Sequence, residues 1–325
     1  MHVGRDERLP VALYTEDEPA IVSPAYFMFE IIDNSVLDEN YLMMWFRRPE
    51  FDRICWLHTD GSVRGGITWE DICRLELPVP PIQEQRKIVK AYKIITDRIE
   101  LKKRINDNLE ATAMTLFKSW FVDFEPFDCD KRGVPFNWQL TTLESRVSTS
   151  TQSINPQKIA TSKVWHYSIP AFDSERLPCL DTAKDILSNK YLVPADAILV
   201  SKLNPETKRI WRTLRCFNDA ICSTEFIVFN SLNKKHRAFY YLLFNTNQFI
   251  DFLVSNATGS TNSRMRVKPA SSLDFEFIVP PDNVLDRFCS EVEPLLSEID
   301  NNLLETRKLS SLIPVAVAKM MSSSR

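Results

Sequence analysis

Residues 77–89 read Leu-Pro-Val-Pro-Pro-Ile-Gln-Glu-Gln-Arg-Lys-Ile-Val, and two hundred positions later Ile278-Val279-Pro280-Pro281 leads into a second helical run. The correspondence extends upstream. Ala20-Ile21 and Ser23 match Ala220-Ile221 and Ser223, and Tyr41-Leu42 match Tyr241-Leu242. Arg64 falls on Arg264 and Glu76 on Glu276. A long fixed period describes a chain built from two copies of one unit, each ending in a helix. Around one loop the copies slip by two residues, because Gly61-Ser62 parallels Gly259-Ser260.

The helical runs carry the argument. After Pro81, residues at alternating spacings of four and three form a seam: Ile88, Tyr92, Ile95, Ile99, Lys102, Asn106, Leu109, Ala113, Leu116 and Trp120. The second run repeats it with Phe288, Val292, Leu295, Ile299, Asn302, Thr306, Leu309, Ile313, Ala316 and Met320. Both are heptad seams broken by polar residues at the same two places. Residues 82–109 carry eight Lys/Arg and four Asp/Glu, whereas 282–309 carry three and seven. Opposite charge beside matching seams predicts that the helices pair with each other in an intramolecular coiled coil, antiparallel if the two globular parts sit at its opposite ends. Polar steps in the seam set register at some cost in stability. The prolines before each run hold an extended approach and occupy positions where no N–H is needed. Pro294 and Pro314 are predicted to kink or shorten the second helix.

Composition sets the class. With 44% hydrophobic and 26% charged residues in 325, this is an ordinary globular chain with room for two domains. There is no apolar run of spanning length and no signal-peptide core at Met1-His2-Val3-Gly4-Arg5, which predicts a cytoplasmic protein. Seven cysteines without a C-x-x-C pair read as free thiols, and the scattered histidines argue against zinc. The expected organisation is a partial first globular domain over 1–80, a helix over 81–125, a complete second domain over 126–280 and a helix over 281–325. Strand-like runs at 164–169, 197–200, 221–229 and 273–279, with a helix around 237–254, make the fold class α+β. The first domain lacks counterparts to about sixty residues of the second, so the first copy reads as truncated at its N-terminus.

Catalytic signatures are missing from the sequence. Asn204-Pro205-Glu206 is not the Asn/Asp-Pro-Pro-aromatic motif of an adenine methyltransferase, and no phosphate-binding G-x-x-x-x-G-K-[ST] loop occurs. Binding is the expected work. The net charge of −3 gives no global attraction to nucleic acid, but residues 201–215 hold five Lys/Arg against one Glu. Arg264, Arg266 and Lys268 lie in a second polar loop. Arg and Lys suit guanine edges and phosphates, Asn suits adenine, and Ser suits either. The candidate DNA contacts are therefore Ser201, Lys202, Asn204, Arg264, Arg266 and Lys268, with Arg64 in the first copy. The competing reading for each is an exposed polar side chain.

The run 77–89 closely resembles the start of the conserved helix in specificity (S) subunits of type I restriction-modification systems. Residues 196–205, Cys222-Ser223-Thr224-Glu225-Phe226 and 259–267 resemble that family's target recognition domain. The resemblance implies two recognition domains on an antiparallel helical spacer, each reading half of a bipartite site in double-stranded DNA. It implies assembly with modification (methyltransferase) subunits and with ATP-driven restriction subunits. S-adenosylmethionine, ATP and Mg would be bound by those partners, and this chain would be non-catalytic. The second helix start, Pro281-Asp282-Asn283-Val284, departs from the family's Glu-Gln pattern. An alternative is a recognition-defective S fragment, acting as a scaffold or a silent recombination donor.

Overall fold

The computed structural model describes residues 9–57, 66–217, 219–259 and 265–322. The chain divides into two compact units. Unit 1 comprises residues up to Leu101 together with those from Lys308 on, and unit 2 is Lys102–Arg307.

Unit 1 is helical among its described residues. Helices α1 (Glu39–Phe46), α2 (Pro49–Leu57) and α3 (Trp69–Cys73) precede α4 (Ile82–Phe121), whose first half belongs to this unit. Each helix start is written in the sequence. The Asp38 carboxylate accepts from the Asn40 and Tyr41 amides, and Thr68 and Asp71 close a capping box on α3. Glu84 and Gln85 then donate their amides to the Pro81 carbonyl, which starts α4. The core joins Tyr41, Trp45, Phe46, Phe51 and Cys55 to Ile88 and Val89, with Tyr92 and Ile313 packed against it. Gln85 is fully buried and tied off by three backbone groups. Its Oε1 accepts from the Asp38 amide at 2.9 Å, and its Nε2 donates to the carbonyls of Val36 and Pro80 at 2.8 and 2.7 Å.

Unit 2 holds the sheets. Strands β1 (Gln139–Thr142), β2 (Val147–Ser150), β3 (Ser153–Ile154) and β4 (Lys163–Tyr167) lead to α5 (Ile169–Glu175). Next come β5 (Cys179–Thr182), β6 (Lys190–Leu192), β7 (Ile198–Ser201), β8 (Ile210–Arg212), β9 (Ile221–Ser223) and β10 (Phe226–Ser231). Helices α6 (Arg237–Asn245) and α7 (Asn247–Ser255), strands β11 (Ala257–Thr258) and β12 (Arg266–Val267), α8 (Pro269–Leu273), β13 (Glu276–Val279) and α9 (Asp282–Ser322) complete the chain. The larger sheets have orders β2-β10-β7-β8 and β3-β6-β9-β4-β5. The apolar run 221–229 is not one strand. The turn at Thr224-Glu225 sends its halves, β9 and β10, into different sheets. The helix expected over 237–254 breaks at Thr246, whose extended backbone caps α7 by accepting from the Phe249 amide.

The duplication is present in the backbone, with a shifted register. Helices α2 and α7 start at 49 and 247, 198 residues apart, whereas α3 and α8 start at 69 and 269 and α4 and α9 at 82 and 282. The two-residue slip thus falls between the second and third helices of each copy. At 198, Phe46 and Phe51 (centroids 5.0 Å apart) correspond to Phe244 and Phe249 (4.7 Å). The Tyr41-Leu42/Tyr241-Leu242 identity lies out of that register, so packing does not equate those residues.

Within unit 2, α4 and α9 run antiparallel. Lys102 lies beside Asn302 and Glu305, and Phe117 meets Phe288 with centroids 6.1 Å apart. The polar steps meet: Asn302 donates to Asn106 at 2.8 Å and accepts from Lys102 at 2.6 Å. Of the predicted seam, Ile88, Phe288 and Ile299 are buried, while Ile95, Ile99, Leu109, Leu295 and Leu309 are half-buried. Helix α9 also buries Leu285, Cys289 and Leu296, a wider stripe than a two-helix seam requires, because the rest of unit 2 packs on it. Pro294 and Pro314 do not shorten α9, which is helical from 282 to 322. Pro294 and Ser290, whose carbonyl loses its helical partner, are both exposed, so water can satisfy it.

The charge reading needs correction too. Lys102–Glu305 bridges the two helices at 3.0 Å. Much of the acidity of α9 instead faces the body of unit 2: Asp282 pairs with Arg146, Asp286 with His236, and Glu293 and Asp300 with Arg212.

Candidate nucleic-acid interface

Three separated segments converge at one edge of unit 2. The chain leaving β7 turns at 202–207, the β9–β10 turn presents Glu225, and β12 passes beside both. The Lys202 amide donates to the Glu225 carbonyl at 2.9 Å, and the Val267 amide donates to the Lys202 carbonyl at 3.0 Å. Asn204 donates its amide to Met265 at 2.9 Å, and Leu203 bridges Arg266. The turn itself is set by Asn204, which sits at φ +48° and accepts the Thr207 amide at 2.9 Å. Asparagine is among the few side chains that tolerate that left-handed conformation.

Arg266 is the best-defined side chain here. Its Nε and Nη2 donate to the two Glu225 oxygens at 3.0 and 3.1 Å, and this hydrogen bonding raises the guanidinium pKa further. The pair is part-exposed, so it adds little to stability. Its consequence is geometric, since a two-point contact fixes the plane of the guanidinium. Arg209 is held in the same way by Asp173, at 2.7 and 2.9 Å. Lys208 donates to the Asn247 side chain at 2.7 Å.

The predicted contacts divide accordingly. Lys202 and Asn204 lie beside 265–267, with Lys268 next in the chain, although more than sixty residues separate 202 from 268. Ser201 does not join them as a contact. It is 2% exposed and donates its hydroxyl to the Leu203 carbonyl at 2.9 Å, so it shapes the turn from beneath. Arg64 and Arg264 lie outside the described residues.

The cation run 201–215 is not one face. Arg212 is buried against Glu293 and Asp300, and Arg215 pairs with Asp196 at 2.7 Å. Next to Arg212, Arg237 donates to the Ala197 and Thr213 carbonyls. Burial draws its pKa down to about 10 and pushes that of Asp300 up to about 6. Sequence reasoning counted Lys208 and Arg209 only within the cation run and Glu225 only within the family-like stretch, and it did not single out Asp173. The signal for Lys208 and Arg209 was their place in a Pro-started turn between two strands; nothing local marked Glu225 or Asp173 as their neighbours' partners.

What the arrangement offers is a shallow set of oriented cations and amides. Among the described residues no group of three or more His, Cys, Asp or Glu is placed to hold a metal ion, and no helix is long and apolar enough to cross a membrane.

The sequence profile of the type I restriction modification DNA specificity domain matches residues 12–111. The specificity subunit of type I restriction enzyme MjaIX from Methanocaldococcus jannaschii is 27% identical over 319 residues, covering 90% of this chain and 70% of that protein. The HindI specificity subunit of Haemophilus influenzae is 32% identical over 93 residues, covering 29% of this chain and 20% of that one. The solved S subunit of a type I restriction-modification system from M. genitalium shares the fold. It has a TM-score of 0.53 at 13% identity, over 89% of this chain and 74% of that one.

Proposed function

We propose that this chain, a member of the type I restriction-modification specificity-subunit family, reads DNA sequence through the edge of unit 2 formed by residues 202–209, Glu225 and 265–268. One observation supports the assignment of the surface: a turn and a distant strand meet there, with residues 202–204 beside 265–267. An oriented arginine suits the O6 and N7 of guanine, while neighbouring lysines suit phosphates. Arg264 belongs to this proposal by its sequence position, and Arg64 is the matching candidate in the first recognition region.

The second recognition domain corresponds to residues 126–280, carried between spacer helices 81–125 and 281–325, with 1–80 as the first recognition region. The chain is non-catalytic in this reading and works in the cytoplasm. Modification subunits supply S-adenosylmethionine, and restriction subunits supply ATP- and Mg-dependent cleavage. The chain's own task is to choose the site.

The test is co-expression with the neighbouring modification subunits, followed by genome-wide mapping of methylated adenines. A defined motif supports the reading; a stable complex that methylates nothing sinks it. Arg266→Ala is expected to cost about 1–3 kcal/mol of DNA affinity and relax one base of the motif. Lys268→Ala is expected to weaken binding across sequences and lower its salt dependence. An unchanged motif and affinity for Arg266→Ala would move the reading surface elsewhere.

A further inference from the structure

The Arg266–Glu225 pair engages one side of the guanidinium. Glu225 takes Nε and Nη2 at 3.0 and 3.1 Å. The end of the fork, where Nη1 and Nη2 present parallel N–H groups, is not used by that contact. Backbone bonds fix both partners from behind. Glu225 donates its amide to the Ser223 hydroxyl at 3.3 Å, and its carbonyl accepts from the Lys202 amide at 2.9 Å. Arg266 pairs with Thr258 across β11 and β12 and also bridges Leu203.

The Arg266 side chain is 46% exposed, with that of Glu225 at 28%. Arg209 is held by Asp173 in the same manner, but only 17% of its side chain is open to solvent. Of the two arginines, Arg266 has more of itself within reach of a ligand.

A carboxylate in that position sorts ligands by charge. A phosphate meeting Arg266 end-on would bring a full negative charge close to Glu225, and repulsion would offset the arginine's attraction. A guanine edge is neutral, and its O6 and N7 lie side by side to accept two parallel N–H groups. We propose that Glu225 determines specificity: it turns Arg266 end-on to a guanine in the major groove and keeps it from serving as a phosphate clamp. The inference rests on DNA reading by this edge of unit 2. It gives a role to a carboxylate in a surface that would hold the DNA backbone better without one. At an offset of 198 or 200, Glu225 meets Phe27 or Ala25 and Arg266 meets Thr68 or Gly66, so unit 1 has no equivalent pair.

The test uses the chain assembled with its modification subunits, a duplex carrying the methylated motif and a scrambled duplex of the same composition. Each guanine of the motif is replaced in turn by 7-deazaguanine, which lacks the N7 acceptor. One replacement is expected to weaken wild-type binding by about fivefold or more and to leave Arg266→Ala unaffected. Glu225→Gln is expected to bind the scrambled duplex about threefold more tightly, with steeper salt dependence, and to lower the preference for the motif about tenfold. Glu225→Asp keeps the charge, so its scrambled-duplex binding should stay within about twofold of wild type, with an intermediate preference. In the Arg266→Ala background Glu225→Gln should leave the preference unchanged, whereas a merely structural role for Glu225 would lower it there too. A wild-type complex that binds both duplexes alike defeats the DNA reading and this inference together. Where wild type prefers the motif, three results defeat the inference alone and leave the DNA reading standing. They are an undiminished preference in Glu225→Gln, no guanine sensitive to replacement, or an equal loss of preference in the Arg266→Ala background.

Discussion

Unit 1 and unit 2 share a helical frame and differ in almost everything laid on it. Phe46 and Phe51 in one and Phe244 and Phe249 in the other hold equivalent places in a helix–turn–helix pair, and all four are buried. In both copies a proline carbonyl receives the first amides of the long helix that follows. Yet the stretch leading into the pair is a buried strand in unit 2 and open chain in unit 1. The frame is fixed by aromatic packing and helix capping, which tolerate few changes. Surface charge and sheet content are less constrained, so the copies can differ in both on the same scaffold.

The comparison breaks most easily at the strand. Phe226 is 1% exposed and its counterpart Met28 is 81% exposed. Phe226→Ala is expected to cost unit 2 about 3–5 kcal/mol through lost burial and a cavity. Met28→Ala should change unit 1 by less than about 0.5 kcal/mol. Hydrogen exchange resolves the two units separately, and comparable losses at both positions would mean that unit 1 has a buried strand after all.

A second difference lies in the long helices. Asp300 of α9 is held among Arg212, Arg237 and Glu293, whereas its counterpart Glu100 in α4 is exposed. Burial raises the Asp300 carboxyl from 3.8 to about 6, against the pull of the two arginines. For an acid raised in this way the folded state holds the proton more tightly than the unfolded one. Its contribution is therefore complete below pH about 4 and is lost as pH rises through about 6. The loss is on the order of 2–3 kcal/mol, at about 1.4 kcal/mol per unit. Denaturation of the wild type and of Asp300→Asn between pH 4 and 7 checks it: the variant should lose that slope, and parallel curves would count against it.

Gln85 and Leu285 offer a smaller exchange. Both are fully buried at the fourth position of their long helices, but Gln85 satisfies three backbone groups of unit 1. Gln85→Leu is expected to cost about 1–3 kcal/mol, because it strands the Asp38 amide and the Val36 and Pro80 carbonyls. A neutral effect in equilibrium unfolding would mean that those groups find water.

Much of this frame is legible in the sequence. The proline-started helices, the broken seams and the two-residue slip follow from spacing alone, because helix starts and heptads are local properties. Register upstream was not legible. Isolated identities such as Tyr41-Leu42 compete with aromatic packing, which pairs residues by volume and not by name. The candidate surface was half legible. Lys202, Asn204 and Arg266 are marked by residue type, but only the fold shows that Arg212 turns inward to α9 and that Ser201 is covered. Charge runs state composition, whereas direction comes from the sheet.

The smallest expected effect concerns what sets the pairing of α4 and α9. Opposite net charge suggests electrostatic selection, yet Lys102–Glu305, a bridge between them, is part-exposed at 20% and 31%. A double-mutant cycle, Lys102→Ala with Glu305→Ala, should return a coupling of about 0.2–1 kcal/mol. The buried Asn106–Asn302 contact in the same layer has more to lose: deleting Asn106 leaves the Asn302 amide nitrogen, in a fully buried side chain, without that acceptor. Register would then follow from matching two polar steps and not from summed charge, leaving the acids of α9 to hold unit 2's own Arg146, His236 and Arg212. A coupling well above 1 kcal/mol, weakening with added salt, would restore charge as the selector.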